Sequence, residues 1–156
     1  PDRTRCNCLP GDISRYLKRI SGPLLDRIDI CTEISPVEYG ELTGKRENES
    51  SEAIRSRVLA AHRRQQERYQ KVGIQFNSQL TIRVIQNLCP LGTEETGIME
   101  QAFESLRLSA RGYYRIIRVA RTIADLEGSK EIRTPHLLEA VGYRTMDHNI
   151  WEEPFG

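Results

Sequence analysis

Leu108–Gly128, LSARGYYRIIRVARTIADLEG, decides the reading of the fold. Tyr113, Ile116, Ile117, Ala120 and Ala124 recur at steps of three and four, which puts them on one face of a helix. Arg111, Arg115 and Arg118 recur at similar steps on another face. Ser109 can cap the start, because its hydroxyl can accept from an amide that has no partner inside the helix. Gly128 can stop it, since glycine adopts the left-handed C-terminal conformation without a Cβ clash. The stretch predicts one long helix with an apolar side to bury and an arginine stripe to present. Arg121 and Asp125, four residues apart, read as an ordinary surface pair.

Further helices are expected on both sides. Ser50 or Ser51 caps one that runs to about Lys71, with sparse apolar positions at Ile54, Val58, Ala61 and Tyr69. Its charge is dense: Arg55, Arg57, Arg63, Arg64, Arg68 and Lys71 against Glu52 and Glu67. Asn77 is a candidate cap for a short helix that includes Leu80. Thr93 is expected to cap another, with Glu94 and Glu95 in a first turn where the helix dipole favours acids. Thr134 caps the last, with Pro135 at its first position, and Leu137, Leu138 and Val141 facing inward. After Arg144 the pattern stops.

Upstream, Pro10 and Asp12 open a short helix, and Ser21, Gly22 and Pro23 break it. Ile28, Ile30, Thr32 and Ile34 alternate with Asp29, Cys31 and Glu33, which predicts a strand. One strand makes no sheet. That, with an opening Pro1 in place of methionine, suggests a piece of a longer protein. Residues 36–50 have linker composition.

Composition narrows the function. The chain has 156 residues, 38% hydrophobic and 29% charged, and a net charge of +1. A nucleic-acid role therefore needs a local patch, not the total charge. No apolar run is long enough to span a membrane, and no signal-peptide pattern is present. Four cysteines, at 6, 8, 31 and 89, are too sparse for a secreted disulfide scaffold, so a reducing cytosol is expected.

Four places can carry chemistry. Cys6 and Cys8 form a C-x-C pair, half of a zinc site at most, because a closed structural site takes four ligands. The alternative is two solvent-facing thiols. Arg27 follows a tight turn, flanked by Asp26 and Asp29. It is either a salt bridge that anchors the turn or a guanidinium fork presented to a phosphate. Arg111 sits in the first turn of its helix, where the dipole slightly disfavours a cation. The stripe it begins is either functional or a solvated face. The basic helix 51–71 is either a nucleic-acid footprint or solvated charge, and it has few aromatics for base stacking. No G-x-x-x-x-G-K-[ST] loop occurs.

Two stretches together, CNCLPGDISRYLKRISGPLLDRIDI and LSARGYYRIIRVARTIADL, resemble the C-terminal half of the magnesium-chelatase-like AAA+ proteins, the YifB/ComM group. The resemblance runs from Cys6 to Tyr143 and includes RVLAAHRRQQERY and HLLEAVGYR. It implies a mainly α fold: a helical-bundle AAA+ C-terminal lid domain, preceded by a short helix–strand remnant of the αβα ATPase core. The implied division is 1–35 for the remnant, 36–50 for the linker, 51–145 for the lid and 146–156 for a flexible tail. The remnant is expected to be poorly ordered without its sheet partners.

The resemblance also implies function. The parent would be a bacterial, cytoplasmic ATPase that works as a hexameric ring and couples ATP hydrolysis, with magnesium, to DNA translocation or branch migration. A subunit of tetrapyrrole metal insertion is the near alternative. Arg27 in LLDRID matches the arginine finger, acting in trans on ATP bound by the neighbouring subunit. Arg111 in LSAR matches the sensor-2 arginine on the ATP phosphates. Cys6 and Cys8 match the second half of a four-cysteine zinc pattern. The Walker motifs precede this segment in the family. This chain alone is therefore expected to be monomeric and inactive, with no cofactor of its own. Cys31 stands where histidine is common in the family.

Overall fold

The fold is mainly α in this computed structural model, whose described residues are 8–17, 19, 22–25, 27–32, 34, 37, 39–40 and 48–151. Two short helices come first, α1 (Pro10–Leu17) and α2 (Gly22–Leu25). Then follow α3 (Ser51–Tyr69), a 3₁₀ turn (Asn77–Gln79), α4 (Ile82–Leu88), α5 (Thr93–Ser105), α6 (Ala110–Glu127) and α7 (Thr134–Trp151).

Helix α6 is the spine. It packs against α3, the 3₁₀ turn, α4 and α7, while α7 also packs on α5. The apolar periodicity explains this arrangement. Ile116, Ile117, Ala120 and Ala124 are buried, and Tyr113 packs at the edge of the core. Tyr69, Leu80, Ile85, Cys89, Met99, Ile132, Leu137 and Ala140 complete that core from the other elements. The small Ala120 and Ala124, both fully buried, fit close approach of the neighbouring helices.

Local chemistry sets the ends of α6. The Ser109 hydroxyl accepts from the Gly112 amide at 3.0 Å. Gly128 has φ 89° and donates its amide to the carbonyls of Ala124 and Asp125. A Cβ at Gly128 would also lie 3.0 Å from Arg64 Nη2, so glycine serves both the turn and the approach of α3. Ser50 caps α3 by accepting from the Ala53 amide. Thr81, not Asn77, caps α4 by accepting from the Val84 amide. Gly92, not Thr93, occupies the cap of α5 and makes no side-chain capping bond. Thr93 is already helical there, and the hydroxyl of Thr96 donates to the Gly92 carbonyl.

Several expectations are corrected. Ile28–Ile34 is not a strand in its described residues. Alternation alone cannot make a strand, because each amide and carbonyl needs a neighbouring strand as partner. The segment lies along α6 and α7 instead, with the Cys31 amide donating to the Tyr143 carbonyl at 3.3 Å. Helix α7 continues to Trp151, beyond the point where the apolar pattern stops. Ile54 and Val58 are exposed, since α3 meets α6 only through its second half, where Ala61, Gln65 and Tyr69 are buried. Leu138 is exposed as well. The expectation of poor order in residues 1–35 concerns many positions outside the described residues.

Candidate functional site

The arginine stripe of α6 splits into three environments. Arg111 is exposed and makes no hydrogen bond or ion pair among the described residues. One turn on, the Arg115 side chain is only 13% exposed. Its Nη2 donates to the Arg27 carbonyl at 2.5 Å, and its Nε lies 2.9 Å from Asp29 Oδ1. Arg118 is half-buried and donates from Nη1 to the Ser78 carbonyl at 3.4 Å.

Arg144 of α7 joins this cluster from the side. It is 7% exposed and donates from Nη1 to the Ile28 carbonyl at 2.9 Å. Burial first, and then the charges of Arg118, Arg144 and Arg111, push the Arg115 guanidinium below its ordinary value, against the pull of Asp29. Among the described residues, three cations and one carboxylate thus act on Arg115 in a partly desolvated place. Such a place favours an anion at its open side, where Arg111 stands.

The structure brings Arg27 to this cluster. Its backbone is held by Arg115, its amide donates to the Leu24 carbonyl at 2.9 Å, and its side chain is exposed. Among the described residues, Asp29 makes no ion pair with Arg27. Its carboxylate turns to Arg115. Among the described residues, the salt bridge at this turn is made by Arg115. Asp26, the other flanking acid, lies outside the described residues.

The pair read as an ordinary surface pair is neither ordinary nor on the surface. Arg121 is 2% exposed and Asp125 fully buried, with Arg121 Nη2 3.1 Å from Asp125 Oδ1. Arg121 also donates to the Ser129 carbonyl at 2.7 Å and the Lys130 carbonyl at 2.9 Å. Arg68 of α3 grips both carboxylate oxygens of Asp125, with Nη1 at 3.0 Å from Oδ2. Asn77 adds a donor to Oδ2 at 2.9 Å, and Arg64 donates to the Asp125 carbonyl at 2.9 Å. Burial works against the charge on Arg68, but its bonds to Asp125 outweigh that, so its pKa is raised. Arg121 is lowered, because burial dominates and Arg68 repels it.

This network redefines the basic helix. Arg64 and Arg68 face inward and tie α3 to α6, and Arg57 makes two bonds to Glu49, at 2.6 and 3.0 Å. Half of the basic residues expected to face a nucleic acid have partners on the protein.

Cys6 lies outside the described residues. Cys8 is exposed, Cys31 half-buried and Cys89 buried, all as thiols. Among the described residues no group of three or more His, Cys, Asp or Glu side chains could hold a metal ion. Also among them, no helix is long and apolar enough to cross a membrane.

Sequence reasoning passed over Arg144, placed Asp29 beside Arg27 and not Arg115, and left Asp125 on the surface. The acceptors that fix Arg144 are main-chain carbonyls, which leave no mark in a sequence. Asp125 had a faint one: with Arg121 it borders the apolar arc of α6, next to Ala124.

The chain is 43% identical over 139 residues to competence protein ComM of Haemophilus influenzae, covering 88% of this chain and 26% of that protein. It is 42% identical over 141 residues to the uncharacterized protein YifB of Salmonella typhimurium and 40% identical over 141 residues to YifB of Escherichia coli. Each match covers 90% of this chain and 27% of the relative. The chain thus spans about a quarter of the length of these relatives. Residues 1–42 match the family described as magnesium chelatase, subunit ChlI. With residues 48–144 matching the family described as magnesium chelatase, subunit ChlI C-terminal, the chain belongs to that C-terminal family.

Proposed function

We propose that the chain is the lid segment of a ComM/YifB-type ATPase that couples ATP hydrolysis to movement on DNA in the bacterial cytoplasm. In that reading Arg111 contacts the phosphates of the nucleotide, and Arg27 reaches the nucleotide held by a neighbouring subunit of a ring. The observation that carries it is the contrast along α6. Arg115 and Arg118 have acceptors on the protein, while Arg111 stands exposed beside an arginine cluster with no hydrogen bond or ion pair among the described residues. A guanidinium so placed suits a phosphate, two of whose oxygens match its planar fork of donors. Magnesium-bound ATP supplies the phosphoanhydride and its negative charge. What this chain adds is orientation and positive charge. The DNA part of the reading leans on the Haemophilus relative, whose name is competence protein.

The test uses a protein of the relatives' length that carries this segment. Arg27→Ala is expected to slow ATP turnover about 10³-fold, the scale of an arginine finger. Arg111→Ala is expected to slow it about 10²-fold, the scale of one lost donor at developing charge. Both side chains are exposed, so melting temperatures should not move. Wild-type turnover in both variants would remove the proposal.

A further inference from the structure

We propose that Arg115 and Arg144 are positioning residues that carry the Arg27 turn on the lid, so that Arg27 moves with α6 and α7 as one body. This rests on the reading of Arg27 as the group that reaches a neighbouring subunit's phosphate. The two guanidiniums take consecutive main-chain carbonyls, those of Arg27 and Ile28. Arg115 adds the carboxylate of Asp29, and α7 adds the Tyr143 carbonyl, which accepts from the Cys31 amide. From residue 27 to residue 31 the chain is therefore held at four points by two helices.

The grip is on the main chain and on Asp29, so the Arg27 side chain stays exposed while its backbone is fixed. A residue that must place a charge within a fraction of an ångström needs such support. Holding it requires burying two arginines, at 13% and 7% exposure, where a solvated pair would cost less. Arg111 and Arg115 are one turn apart on α6. A displacement at Arg111 is thus passed along a rigid helix to the carbonyl of Arg27. Two groups that act on different nucleotides are joined in one element.

Two measurements test this. In this chain, amide hydrogen exchange at Cys31 should speed up about tenfold or more in Arg115→Ala, reporting local opening. Asp29→Asn should act in the same direction. Asp29 is 57% exposed, so that variant keeps the fold even if Arg115→Ala does not. In a protein of the relatives' length, Arg115→Ala should lower kcat for ATP hydrolysis about tenfold with KM nearly unchanged. It should add nothing once Arg27→Ala is present, because a positioning residue has nothing left to position. Arg115→Lys should recover part of the loss through Asp29.

Unchanged exchange at Cys31 in both Arg115→Ala and Asp29→Asn overturns the clamp. Losses that multiply in the Arg27→Ala, Arg115→Ala double variant overturn the positioning role. Wild-type turnover in Arg27→Ala removes the role of Arg27 and this proposal with it. That failure is recognisable, because exchange at Cys31 still responds to Arg115→Ala.

Discussion

Arg68 of α3 and Asp125 of α6 meet in a two-pronged ion pair whose carboxylate is fully buried. Arg121 shares the same carboxylate from within α6. A buried and a half-buried cation on one anion leave an excess of charge. It is offset by the carbonyls of Ser129 and Lys130, which accept from Arg121. The arrangement fixes the angle at which α3 leaves the bundle, and therefore where the exposed first half of α3 points.

Removing the shared anion should be costly. Asp125→Asn keeps the shape but leaves Arg68 and Arg121 without their counter-charge. The expected loss is about 3–5 kcal/mol, the scale for breaking one side of a buried pair. Urea unfolding of this chain, read by helical circular dichroism, measures it. A loss under about 1 kcal/mol would mean that water reaches the pair in solution.

The sequence was clear where the physics is local, and silent where it is not. The apolar steps of Leu108–Gly128, the Ser109 cap and the Gly128 stop each depend on residues within four positions, and all three hold in the structure. The isoleucine alternation at 28–34 is equally regular, but a strand depends on partners elsewhere in the chain. Arg121 and Asp125 have the spacing of a surface pair. Only the arrival of Arg68, 57 residues upstream of Asp125, makes them a core network. Arg111 was legible as a stripe member, but its neighbours were not separable from it. What distinguishes Arg115 is the carbonyl of Arg27, 88 residues away.

Tyr69 should titrate late in alkali. Burial, above all, pushes its hydroxyl up from the ordinary 10.0 to about 12. Its hydroxyl donates to Asn77 Oδ1 at 2.6 Å, a bond the phenolate cannot make. A pKa raised on folding gives stability that is complete below the unfolded value and is lost as pH rises through the folded one. Unfolding free energy should therefore fall between about pH 10 and pH 12. Phenolate absorbance should show a component near the upper end that vanishes in Tyr69→Phe and survives in Tyr143→Phe. A titration of Tyr69 at the ordinary 10.0 would contradict its buried position.

DNA binding by α3 is testable through its salt dependence. Each phosphate neutralised by a cation releases counterions, and the slope of log affinity against log salt is about −0.9 per contact. The stretch 51–71 offers Arg55, Arg57, Arg63, Arg64, Arg68 and Lys71. Arg64 and Arg68 are committed to Asp125, and Arg57 to Glu49. That leaves Arg55, Arg63 and Lys71, so the helix can support a slope no steeper than about −3. Fluorescence anisotropy of labelled duplex DNA with this chain, from low to moderate salt, should show binding that is weak and shallow in its salt dependence. Arg55→Ala with Arg63→Ala should reduce the slope by about 2. A slope much steeper than −3 that survives those substitutions would move the DNA contact off α3. The arginine cluster around Arg111 would then be the surface to test, with Arg111→Ala as the deciding variant.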